Sequence, residues 1–170
     1  MEPLEQLSKL QFTLSERPVA IRSEYRPLRR IALLALAVAH CHSEQASYEQ
    51  LHVLNWALRF RSTRSTLQRY LTGDIAPTDV IVRFDPHLDR IVSLAVGARI
   101  FTLFDRNWSF LPTTRPTATG HVRVRLSDLG RELVESITAG NILVEERKFF
   151  STVGRKITQQ DIRRLFIWSD

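Results

Sequence analysis

Apolar and polar positions along the chain change period several times, and each change predicts an element. Pro27 stands at a favourable first helical position, and RRIALLALAVAH follows as a helix that is apolar almost all round. Such a helix belongs at the centre of a domain. After the polar break HSEQ, Ser47 with Gln50 three residues later forms a capping-box pattern at the start of a second helix, SYEQLHVLNWALRF. STRSTLQRYLTG reads as a short basic helix with Leu67, Tyr70 and Leu71 inward, stopped by Gly73. DIAPTDVIVRF combines a proline turn with an apolar run of strand length.

Asp85 followed by Pro86 reopens a helix, PHLDRIVSLAV, by an N-cap acid and a proline in the first turn. ARIFTLF and WSFLP read as strands joined through the turn DRN, and TTRPTATG is a connection. HVRVRL alternates as a third strand, and SDLGRELVESI is the helix that it feeds. From NILVEERKFF to ITQQDIRRLFIW the pattern gives two more short helices, the last capped by Thr158 with Asp161 in its first turn. The expected fold class is α+β, mainly α: an N-terminal arm over residues 1–25, a winged-helix-like core over 26–138, and a C-terminal helical extension over 139–170.

Charge sharpens this picture. The chain of 170 residues carries a formal net charge of +6 at pH 7. All its basic side chains except Lys9, Lys148 and Lys156 are arginines, which suit planar contacts with phosphate or carboxylate and protein interfaces alike. The densest cluster, RFRSTRSTLQR, contains Arg59, Arg61, Arg64 and Arg69 among hydroxyl side chains. It fits phosphate contact, a solvated corner between helices, or a docking face for an acidic protein. Arg123 and Arg125 fall on one side of a regular strand, where they either meet a DNA backbone or keep an exposed strand soluble.

The helix before the wing, which occupies the recognition position, is poorly equipped to read bases. Its polar residues are His87, Asp89, Arg90 and Ser93, and Asp85 and Asp89 repel phosphate. Trp56 is expected in the core; Trp108 and Trp168 are expected at a partner interface.

Catalytic and metal chemistry find little support in the pattern. His40, Cys41 and His42 lack the separated ligand pairs of a zinc site and read as the polar end of the first helix. Asp74, Asp79, Asp85 and Asp89 read as caps, and Glu146, Arg147 and Lys148 as a solvated helix face, so no carboxylate cluster for a metal-dependent nuclease is expected. No glycine-rich phosphate loop is present. The reading is of a non-enzymatic protein without a cofactor. The opening residues do not read as a secretory signal and the single cysteine suits a reducing compartment, so a cytoplasmic location is expected.

Four phrases together, YRPLRRIALLAL, SYEQLHVLNWALR, VRFDPHLDRIVSLAV and VRVRLSDLGRELVESI, resemble the middle component of bacterial ABC-three-component systems. That family includes the accessory subunit of Lamassu-type anti-phage and anti-plasmid defence complexes. The resemblance spans about residues 24–167 and rests on hydrophobic signatures. It departs from a compact wing at TTRPTATG. The resemblance implies a subunit that bridges an SMC/Rad50-like ABC ATPase and an effector subunit, often a nuclease, with non-specific contact to double-stranded DNA. The alternative is a winged-helix regulator of transcription that binds DNA sequence-specifically.

Overall fold

The computed structural model describes residues 26–105 and 122–166. The N-terminal arm, the expected strand WSFLP with Trp108, the connection TTRPTATG and Trp168 lie outside the described residues. The described chain is mainly helical, with a small three-stranded antiparallel sheet.

Helix α1 spans Pro27–Ala39 and is the axis of the fold. Proline pre-sets φ for the first turn, and the apolar run behind it is buried from Leu33 to Val38. Its neighbours are helices α2 (Tyr48–Ala57), α4 (Leu88–Gly97), α5 (Asp128–Ala139) and α6 (Val144–Val153), together with the sheet. Each fully buried leucine contributes about 1.5–3 kcal/mol of transfer free energy, so Leu34 and Leu36 tie α1 firmly into the core. Trp56 of α2 is buried in this core, as expected.

Local signals set the ends of several helices. The Ser47 hydroxyl accepts the Gln50 N–H at 3.1 Å and starts α2. Helix α3 (Arg61–Thr72) stops at Gly73, whose φ of 83° is left-handed. The carboxylate of Asp161 accepts the N–H of Thr158 at 2.9 Å while the Thr158 hydroxyl accepts the N–H of Asp161 at 3.2 Å, a reciprocal cap for helix α7 (Gln159–Phe166). Phe149, Phe150 and Val153 of α6 and Ile162 and Leu165 of α7 enter the same hydrophobic core as α1.

Strand β3 (Arg123–Leu126) lies in the middle of the sheet, between β1 (Gln45–Ser47) and β2 (Phe101–Phe104). Leu103, Val124 and Ala46 align across the inner face and are buried. Gln45, Arg125 and Thr102 align on the outer face, as do Ser47, Arg123 and Phe104. The strands at ARIFTLF and HVRVRL therefore form as the alternation predicts. Two assignments need correction. HSEQ is not only a break, because Gln45 to Ser47 pair with β3. Residues 80–84 form no strand: after a 3-10 turn at Pro77–Asp79, Val80 is buried and Ile81 exposed as alternation demands, yet among the described residues no strand pairs with them. Period-two patterning supplies a face; a ladder also requires a neighbour.

Helix α5 begins where the sheet hands the chain back. The hydroxyl of Ser127 accepts the Gly130 N–H at 3.0 Å and donates to the Ile100 carbonyl at 3.1 Å, which ties the helix start to the entrance of β2. Gly130 is required there, because a Cβ on it would lie 2.3 Å from the Ile100 carbonyl oxygen.

Candidate functional site

Four segments meet at the carboxylate of Asp85. In the turn that Asp85 and Pro86 make, Oδ1 accepts the His87 N–H at 2.9 Å and the Asp85 carbonyl accepts the Leu88 N–H at 3.1 Å. The sequence-predicted cap is therefore present, one turn ahead of α4. The other oxygen, Oδ2, accepts Asn55 of α2 at 3.1 Å and a guanidinium hydrogen of Arg30 from α1, and Arg59 approaches it to 3.3 Å. Burial alone would raise the Asp85 pKa. The hydrogen bonds from His87 and Asn55 and the charges of Arg30 and Arg59 outweigh that and hold it below its ordinary value. A carboxylate so saturated is a weak base and a strong tie between α1, α2 and α4.

A second carboxylate does the same for α3 and α6. Glu146 accepts from Arg29 at 3.1 Å and from Arg64 at 3.4 Å, and its side chain is only 12% exposed. This corrects the reading of Glu146 as part of a solvated helix face: Phe149 and Phe150 turn that side of α6 inward and carry Glu146 to the edge of the core. The Nε of Arg64 is buried without a hydrogen-bond partner among the described residues.

Between these anchors opens a cleft of about 480 Å³. Arg29, Arg30, Arg59 and Arg83 line it, with Leu33, Leu58, Phe60 and Pro86 as apolar wall. Around the cleft and its Glu146 edge, five arginines face two carboxylates, so positive charge is in excess. Arg59 and Arg64 belong to the basic cluster singled out in the sequence, where nothing located them at this cleft and its edge, and Arg29, Arg30, Asn55 and Arg83 were missed. Arg61 and Arg69 are exposed on α3 and line neither this cleft nor the smaller one behind β1.

Arg123 and Arg125 do share one face, the outer side of the sheet. The guanidinium of Arg125 sits over the Phe104 ring at 5.2 Å, and the Gln45 side-chain oxygen, oriented toward it, accepts from its Nε at 2.9 Å. Arg123 also lines the smaller cleft, of about 320 Å³, beside Gln45, Ser47 and Arg155. The structure thus places the basic residues in two groups, one at the α1, α2 and α3 corner and one on the sheet.

The remaining candidates have structural partners. His40 stacks on Phe150 and its Nδ1 donates to the Leu36 carbonyl at 2.8 Å, the polar helix end that was expected. Burial pushes the Cys41 thiol up to about 12, and its Sγ lies 3.2 Å from the Ala37 carbonyl. Among the described residues no group of three or more histidine, cysteine or acidic side chains is arranged to hold a metal, and no helix is long and apolar enough to cross a membrane. No protein-family model, curated protein or solved structure matches the chain.

Proposed function

We propose that the chain is a non-enzymatic bridging subunit, built on a winged-helix-like core, that joins an SMC/Rad50-like ABC ATPase to an effector subunit of a bacterial defence complex. The order of elements supports the fold. Strand β1 lies between α1 and α2, helix α4 directly precedes β2, and the sheet runs β1, β3, β2. Helix α3 and the turn at Pro77–Asp79 are an insertion ahead of α4.

One observation carries the functional reading. The outward side of α4, the helix in recognition position, bears Asp89, Arg90 and Leu94, and Asp89 is engaged by the Tyr48 hydroxyl. With Asp89 offsetting the charge of Arg90 and an exposed leucine beside them, this surface offers few base-reading donors and suits contact with a protein. The resemblance over residues 24–167 supplies the partners. Arg123 and Arg125, both on the outer sheet face, suit contact with a DNA backbone inside such an assembly.

The test is co-expression of the full chain with the products of its flanking genes, followed by size-exclusion chromatography. The expected result is a single species that contains all three. A chain that ignores both neighbours, or forms a homodimer with strong preference for one operator sequence, overturns the reading; the second outcome selects the transcription regulator.

A further inference from the structure

We infer that the arginine cleft between α1, α2 and the turn at Asp85 is a docking site for an acidic peptide segment of a partner protein, in which a carboxylate side chain enters the cleft and an adjacent aromatic or aliphatic side chain packs on its rim. The inference rests on the bridging role proposed above and names the chemistry of one of its contacts.

Charge complementarity decides the occupant's sign. Arg30 and Arg59 are tied to Asp85, and Arg29 to Glu146, but Arg83 lines the same cleft and makes no ion pair or hydrogen bond among the described residues. Arg59 lines the cleft and its side chain is a third exposed, so it remains accessible to a second carboxylate. Two guanidinium groups on a concave wall form a fork for one carboxylate. Asp85 holds Arg59 in position, so little rotamer entropy is lost when that carboxylate arrives.

The rim decides between peptide and nucleic acid. Phe60 is 66% exposed and lines the cleft, and Leu28, 81% exposed, adjoins Arg29 in sequence. A free phosphate gains nothing from exposed phenylalanine. The phosphates of a duplex lie on a convex surface with the bases stacked out of reach of an aromatic side chain, and a recess of about 480 Å³ is of the size that takes a side chain or a small ligand. An acid next to an apolar residue on a protein segment satisfies both parts of the wall at once, with the aromatic anchor as the main source of affinity.

The experiment uses the full chain and fluorescence anisotropy. One labelled probe is a short peptide that alternates glutamate with phenylalanine; a second replaces each glutamate with glutamine. The glutamate peptide should bind at least about tenfold more tightly than the glutamine peptide, and Arg83→Glu and Phe60→Ala should each weaken it by about tenfold. Both side chains are exposed, so thermal melts of these variants should match the wild type, and Arg83→Ala provides a second variant should the charge reversal disturb folding. Equal binding of the two peptides, or unchanged binding by Arg83→Ala and Arg83→Glu, overturns the inference. So does displacement of the peptide by duplex DNA that is insensitive to Phe60→Ala.

The same variants keep the two proposals apart. If the ATPase and effector still assemble with Arg83→Glu while the peptide does not bind, bridging stands and runs through another surface. If the wild-type chain binds the peptide yet neither neighbour, the cleft stands and the bridging reading fails.

Discussion

Replacing Asp85 with alanine removes the acceptor on which α1, α2 and the start of α4 converge. The side chains of Arg30 and Asp85 are 11% and 9% exposed, so the variant would leave the Arg30 guanidinium near the core with no counter-charge, and Asn55 with an unused donor. Removing one partner of a buried pair costs about 3–5 kcal/mol, against a total stability of about 5–15 kcal/mol for a domain of ordinary size. At about 2–4 °C per kcal/mol for a chain of this length, the melting temperature should fall by on the order of 10 °C. Asp85→Asn keeps one oxygen, which can serve either the His87 N–H or Arg30 and Asn55 but not both positions, and loses the charge, so it should recover at most part of the loss. Arg59→Ala should cost no more than about 1 kcal/mol, because that guanidinium is a third exposed and screened by water. Urea denaturation monitored by tryptophan fluorescence measures all three. Because the folded-state pKa of Asp85 is depressed, its contribution is fully present above the ordinary value of 3.8 and is lost as pH falls through the folded value, so Asp85→Asn should show less acid sensitivity in that window. An Asp85→Ala protein within about 1 kcal/mol of wild type would refute the argument that this carboxylate holds three segments together.

Gly154→Ala should destabilise by about 1–3 kcal/mol, since its Cβ would lie 2.6 Å from the His40 carbonyl oxygen and backbone must shift, whereas Gly97→Ala, with no atom within 4 Å, should be neutral or slightly stabilising; equal urea midpoints for the two would count against the close approach of α1 and α6. Burial lowers the His52 pKa below 6.5 against the pull of Asp89, Asp85 and Glu49, and its Nδ1 has no hydrogen-bond partner. Unfolding therefore takes up a proton between the folded value and 6.5, stability falls as pH drops through that window, and urea midpoints of His52→Gln should show a shallower decline than those of the wild type. Reversing the charge of both Arg123 and Arg125 should weaken duplex DNA binding alike for all sequences in a gel-shift series, and selective loss of one sequence would point to base reading instead.

Elements bounded by local chemistry were legible in the sequence. Pro27, Ser47, Gly73 and Thr158 with Asp161 act within one or two turns, and each marks a boundary that the structure shows. Strand β1 was not legible, because three residues with one apolar member have no periodicity of their own and become a strand only by pairing with β3. Residues 80–84 failed in the opposite sense, as they have the alternation and no strand partner among the described residues. The candidate site divides in the same way. Asp85 was legible as a cap because its His87 contact spans two residues, while its ties to Asn55 and Arg30 span 30 and 55 residues. Glu146 reaches Arg64 and Arg29 across 82 and 117 residues, a relation that no local pattern encodes.

The arginine excess consequently has two physical meanings in one molecule. At the α1, α2 and α3 corner the planar, multi-donor guanidinium lets the largely buried carboxylate of Glu146 accept from Arg29 of α1 and Arg64 of α3 at once, which a lysine's compact ammonium would do less well. Asp85 and Glu146 neutralise two of the four charges on Arg29, Arg30, Arg59 and Arg64, which weakens but does not cancel the field this corner offers nucleic acid. Arg83, beside them without an ion pair among the described residues, and the exposed part of Arg59 are what remains for a partner. A carboxylate that docks there need not displace Asp85 from Arg30, so in the proposed site binding leaves the buried pair intact and draws only on cations already held in position by the fold.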